Sequence, residues 1–144
     1  FYITSHLELS GHDAQFSEIL VRAGSLARPQ TVRGQVDINW QDELSLKGEA
    51  DGQVIDLNSI LMRARYVNPG AAVTQLNDIL LQQARQFETI NFTMNAKQIY
   101  LGKGDVRDFR LLLKGEKGII RVEDMAGRLP GSSRLSVSGT FAQV

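Results

Sequence analysis

From Ile90 to Phe141 apolar and polar residues alternate through four strand-length runs separated by glycine-bearing turns. Side chains of a strand point to opposite faces in turn, so apolar residues two apart mark one face. Ile90, Phe92, Met94 and Ala96 make the first run, and Gly102-Lys103-Gly104 supplies a short hairpin loop. Phe109, Leu111 and Leu113 alternate with Asp108, Arg110 and Leu112, and Gly115 to Gly118 turns the chain again. Ile120 and Val122 follow, and Leu129-Pro130-Gly131-Ser132 fits a turn whose proline presets φ and whose glycine tolerates positive φ. In the last run Leu135, Val137, Gly139 and Phe141 face one way and Arg134, Ser136, Ser138 and Thr140 the other, the pattern of a half-wet strand.

The first 66 residues read as strands interrupted by one helix. Ile3, Ser5, Leu7 and Leu9 alternate up to Ser10-Gly11. Asp13 then caps a predicted helix with Phe16, Ile19, Leu20 and Ala23 on one face and Gly24 as its stop. Val32, Gly34, Val36, Ile38 and Trp40 alternate next, and Leu44, Leu46 and Gly48 resume after the acidic turn at Asp42-Glu43. Asp51-Gly52 reads as a further hairpin, followed by a short helical stretch ending near Arg65. Asn68-Pro69-Gly70 breaks the chain, and Val73, Leu76, Leu80 and Phe87 then form the apolar stripe of the longest predicted helix. The expectation is an α+β fold, mainly β: a β-rich half over 1–66, a helical connector over 67–88 and an antiparallel β-meander over 89–144.

Composition sets bounds. The 144 residues are 42% hydrophobic and 22% charged, ordinary for one globular domain. Sixteen basic residues balance sixteen acidic ones, so the whole chain makes no case for nucleic acid. The balance shifts along the chain: residues 1–66 carry six Lys/Arg against nine Asp/Glu, and residues 97–134 carry nine against five. There is no cysteine, and no apolar run approaches the twenty or so residues of a membrane span. The chain opens at Phe1 inside an alternating segment, as a piece of something longer would.

Catalytic readings fail on residue supply. His6 and His12 are the two histidines, and their spacing suits no helical zinc pair. No serine sits in a G-x-S-x-G elbow, and Ser132-Ser133 suits a turn. The acid pairs Asp42-Glu43, Glu49 with Asp51 and Glu123-Asp124 match no calcium loop, and Gly102-Lys103-Gly104 is too short to cradle a phosphate. Basic residues from Lys97 to Arg134 are interleaved with acids, and Tyr100 and Phe109 are not spaced as a stacking platform. A protein that is not an enzyme, with no cofactor, no metal and no nucleic-acid partner, is expected.

Three stretches carry a family likeness: Ser5 to Gly24 (SHLELSGHDAQFSEILVRAG), Gly52 to Leu61 (GQVIDLNSIL) and Asn91 to Phe141. Together they resemble the AsmA-like family of Gram-negative envelope proteins, relatives of TamB and of the bridge-like lipid transfer proteins. The closing Gly-Arg-Leu-Pro-Gly departs from the glycine pair that many members have there. The resemblance implies a curved β-groove in the periplasm, anchored to the inner membrane in the parent protein, that guides phospholipid towards the outer membrane in its biogenesis.

On that reading Phe92, Met94, Phe109, Leu111, Leu113, Ile120, Val122, Leu135, Val137 and Phe141 are the candidate lipid-binding groove residues. The partners expected are phospholipid acyl chains, neighbouring repeats of the same parent chain and envelope proteins. The alternative is a non-catalytic structural or assembly module of the envelope, paired through exposed strand edges. Periodicity alone leaves a third arrangement open, in which the apolar face is the ordinary core of an α+β domain covered by the 73–87 helix.

Overall fold

The chain forms one open, mixed, eight-stranded sheet in which strand order follows chain order. The computed structural model describes residues 2–23, 30–56, 85–101 and 104–141, with Asp78 and Gln82. The strands are β1 (Tyr2–Leu9), β2 (Asp13–Ala23), β3 (Gln30–Asn39), β4 (Ser45–Asp56), β5 (Thr89–Leu101), β6 (Gly104–Glu116), β7 (Ile119–Arg128) and β8 (Arg134–Phe141). All neighbours pair antiparallel except β4 and β5, which run parallel with Ser45 opposite Thr89 and Asp56 opposite Tyr100. Among the described residues β1 and β8 are free edges.

This corrects the expected α+β fold with its helices, and the parallel β4–β5 pair makes the sheet mixed, although β5 to β8 pair antiparallel. Asp13–Ala23, read as a capped helix, is a strand. The reason is a β-bulge: Glu18 has φ 53°, and the pairing jumps from Phe16–Val36 to Ile19–Gly34. The extra residue shifts the alternation, so Phe16 and Ile19 share a face three apart, as they would on a helix. Asp51-Gly52 is no hairpin but lies within β4. Gly52 answers packing there, since a Cβ on it would stand 2.9 Å from the Ile55 side chain. The short helical stretch expected before Arg65 and most of the 67–88 connector lie outside the described residues; the described connector residues Asp78, Gln82, Arg85 and Gln86 are helical, but no bounded helix stands among the described elements.

The parallel pair follows from where the chain re-enters the sheet. β4 ends at Asp56 and β5 starts beside Ser45, so the end of one strand and the start of the next lie a twelve-residue strand apart, about 36 Å at 3.3 Å per residue. Two backbone bonds fix the re-entry: the Glu88 N–H donates to the Leu44 carbonyl at 2.8 Å, and the Lys117 N–H to the Glu88 carbonyl at 3.0 Å.

The turns obey backbone sterics. Lys117 (φ 50°) and Gly118 (φ 81°) form a two-residue hairpin with both central residues at positive φ, the conformation that matches strand twist. In the β7–β8 turn Gly131 (φ 83°) and Ser132 (φ 66°) are left-handed, and the Leu129 N–H donates to the Ser133 carbonyl at 2.8 Å.

Packing between strands also fixes glycines. A Cβ on Gly34 would stand 2.4 Å from the Glu49 carbonyl oxygen, a backbone atom that cannot step aside, whereas one on Gly139 would meet nothing within 4 Å. Gly34→Ala should therefore cost about 1–3 kcal/mol and Gly139→Ala less than about 0.5 kcal/mol in urea unfolding followed by circular dichroism. Equal midpoints for the two variants would show that the β3–β4 approach does not constrain the sheet.

Candidate functional site

Registers across the sheet gather the apolar side chains on one face. Residues directly opposite in a ladder share a face, so the rows can be followed from strand to strand. One runs Val36–Gly48–Phe92–Leu113–Val122–Gly139, and the next Gly34–Ala50–Met94–Leu111–Met125–Val137. Phe16 opposite Val36 and Leu7 opposite Phe16 carry the first row to the β1 edge. A third row sets Ala96 against Phe109, and at β7–β8 Ile120 stands opposite Phe141 and Gly127 opposite Leu135. All ten candidate groove positions fall on this face.

They differ in exposure. Leu113, Ile120 and Val122 form a buried cluster, with Ile90, Phe92, Leu111 and Met125 packed against it. Phe109 and Met94 pack instead on a second cluster of Ile55, Ala96 and Ile99, with Val32. Leu135 is half-buried, and Val137 on the edge strand is 40% exposed. No described side chain is completely buried, and the substantial contacts between described elements are all between sheet neighbours. Among the described residues, then, no element lies across the apolar face.

Of the second cluster the alternation named Ala96 but not Ile55 or Ile99. Ala96 and Ile99 are three apart, yet they pack together, because the alternation slips by one at Lys97 while Asp108, at φ 49°, bulges in the neighbouring strand. A conserved phase along β4 and β5 would have pointed Ile55 and Ile99 away. The tell-tale in the sequence is an apolar pair at odd spacing within an otherwise even run.

The opposite face is polar and cross-linked by ion pairs: Arg110–Asp124 at 2.6 Å, Lys114–Glu123 at 3.2 Å and Arg128–Asp108 at 3.6 Å. Such exposed pairs contribute roughly 0–1 kcal/mol each and serve register more than stability. At the start of β6, Gln98 donates to the Asp105 carboxylate at 2.7 Å and Arg107 lies 3.3 Å from it. The Gln98 hydrogen bond, with Arg107 beside it, holds the Asp105 carboxyl below the usual aspartate range. His6 and His12 are exposed, His6 standing 3.3 Å from Glu8, and no cluster that could hold a metal occurs among the described residues.

No protein-family model, curated protein or solved structure matches the chain.

Two outcomes follow from this geometry. Leu113→Ala should cost about 2–4 kcal/mol, whereas Val137→Ala, at the open edge, should cost less than about 1 kcal/mol in denaturant titration. Equal losses would mean that β8 is as covered as β6. For Asp105 the folded pKa is lowered, so its stabilisation is present above the ordinary aspartate value and is lost as pH falls through the lowered one. Asp105→Asn should flatten the fall in stability below about pH 4, and superimposable acid profiles would leave the Gln98–Asp105 contact without energetic weight.

Proposed function

We propose that the chain is a segment of an envelope lipid-transfer protein whose apolar sheet face shields phospholipid acyl chains between the inner and outer membranes. The observation that carries this reading is an apolar face continuous over eight strands, backed by a polar one, with no described element across it. Eight strands at about 4.8 Å spacing give a surface about 34 Å wide, wider than one extended acyl chain is long. Each methylene kept from water contributes about 0.8 kcal/mol, so a trough without polar recognition holds a chain and still lets it slide. The resemblance to AsmA-like proteins supplies the periplasmic setting and the inner-membrane anchor of the parent protein. No helix among the described residues is long and apolar enough to cross a membrane.

A second reading, an assembly module, is favoured by one observation. Following the pairings from β1 to β8, the two edge strands run in the same direction. A second repeat added by translation would pair its β1 with this β8 in parallel, repeating the β4–β5 geometry. β1 is exposed along its whole length, with Ile3, Leu7 and Leu9 open, as a strand awaiting a neighbour would be.

The test is to purify the chain, extract it with organic solvent and identify co-purified lipid by mass spectrometry. Val137→Asp puts a charge at an exposed position of the face, where folding tolerates it, and Leu111→Asp puts one nearer the buried cluster. Phospholipid in stoichiometric amount, lost from a folded Val137→Asp variant, is the expected result. A folded, lipid-free chain that self-associates with rising concentration would replace the lipid reading with the assembly one.

A further inference from the structure

Charge is segregated along the strand axis, a feature that the balanced composition hides. One transverse row runs from Thr4 through Arg33, Asp51, Asn95 and Arg110 to Ser136 and divides the sheet. On the side holding the β1–β2, β3–β4 and β6–β7 turns, the described strands and turns carry ten Asp/Glu against four Lys/Arg. On the side holding the β7–β8 turn they carry five Lys/Arg against three Asp/Glu. Strands leave no net macrodipole of their own, so these side chains set the field at each end.

The basic end contains an arginine row. Arg107 stands opposite Arg128, and Arg128 opposite Arg134, in adjacent strands. Like charges directly opposite one another in a ladder destabilise it, and here only two of the three are answered, Arg107 by Asp105 and Arg128 by Asp108. Arg134 is exposed and has no ion-pair partner among the described residues. Arg128 and Arg134 flank the turn 129–133, at which Leu129 is exposed, and Tyr100 is exposed at the same end of the sheet. The opposite end has exposed apolar residues too, Trp40, Leu44 and Ile119, but they stand among Asp42, Glu43 and Glu116.

We propose that the arginine-bearing strand end docks on an anionic lipid surface, with Arg107, Arg128 and Arg134 meeting phosphates and Leu129 entering the interface. Planar guanidinium groups in a row suit phosphate oxygens bidentately, and an apolar turn tip between two of them is the side-chain order that an interface demands. The acidic end is repelled by the same surface, so the strands stand on the membrane in one sense. This surface is separate from the apolar face, and it stands or falls independently of what that face carries.

The experiment is co-flotation with vesicles of equal parts phosphatidylcholine and phosphatidylglycerol, against vesicles of phosphatidylcholine alone. The chain should float with the anionic vesicles only and be released by salt as screening shortens to about 3 Å at 1 M. Arg128→Gln with Arg134→Gln, both at exposed sites, should weaken binding at least about fivefold, given the contribution of each basic residue near such a surface. Leu129→Ser should weaken it separately. Trp40, the one tryptophan, reports orientation: its emission should not move on vesicle binding. A blue shift at Trp40 would put the acidic end or the apolar face on the bilayer and overturn the proposal. So would equal flotation of a folded double variant, no flotation of the native chain, or binding of single-stranded RNA through these arginines in place of vesicles.

Discussion

Cross-strand register is the constraint on which the rest depends. Each hydrogen-bonded pairing fixes which side chains share a face, and a slip of one residue would send an entire strand's apolar set to the wrong side. The ladders from β1 to β8 hold rows of apolar side chains in line, interrupted by bulges at Glu18, at Asp108 and in β7 between Val122 and Met125. At each bulge the phase changes and the apolar set stays on its face. Without the shift at Glu18, Ile19 and Val21 would turn away from Phe16. The bulges therefore keep the face single rather than marring it.

The same bulges explain what the sequence discloses and what it conceals. Where alternation runs unbroken, from Ile90 to Ala96, from Phe109 to Leu113 and in the last strand, strands and facing were legible from period alone. The Leu129 to Ser132 turn was legible from proline and glycine chemistry. Asp13 to Ala23 was not, because one left-handed residue at Glu18 converts a spacing of two into a spacing of three, and a cap-like Asp13 completes the imitation of a helix. Asp13 in fact answers the Ser10 hydroxyl in the β1–β2 turn. Asp51-Gly52 misled for a different reason: glycine there makes room for Ile55, a demand of packing that no local pattern announces. The parallel β4–β5 pairing is set by where the chain comes back to the sheet, which periodicity does not encode.

Side-chain charge obeys a second, looser constraint. Across the polar face oppositely charged partners meet, Arg110 with Asp124 and Lys114 with Glu123, and these pairs reinforce the register already fixed by the backbone. Along the strands the signs separate instead. The composition conceals this because its two halves cancel, and chain segments conceal it because each end is assembled from strands distant in sequence. Arg22 and Arg134 lie on the same side of the dividing row only through the six pairings that link their strands. Placing arginines opposite one another at a strand end, where they gain nothing from the ladder, is a cost that the fold itself does not require.

A sheet whose described elements form one layer differs from a sandwich in what completes it. In a sandwich the second sheet covers the apolar face, and stability is a property of the chain alone. Here the described strands meet only edge to edge, and the described residues packed against Leu113, Ile120 and Val122, namely Ile90, Phe92, Leu111 and Met125, belong to the same sheet. Whatever rests on that face then contributes to folding at about 25 cal/mol per Å² of apolar area removed from water. An occupant present at a hundred times its dissociation constant adds about 2.7 kcal/mol, a sizeable fraction of a domain's whole stability. On the proposed function, occupancy and folding would be one equilibrium, because the residues proposed to hold lipid are the same ones that hold the sheet.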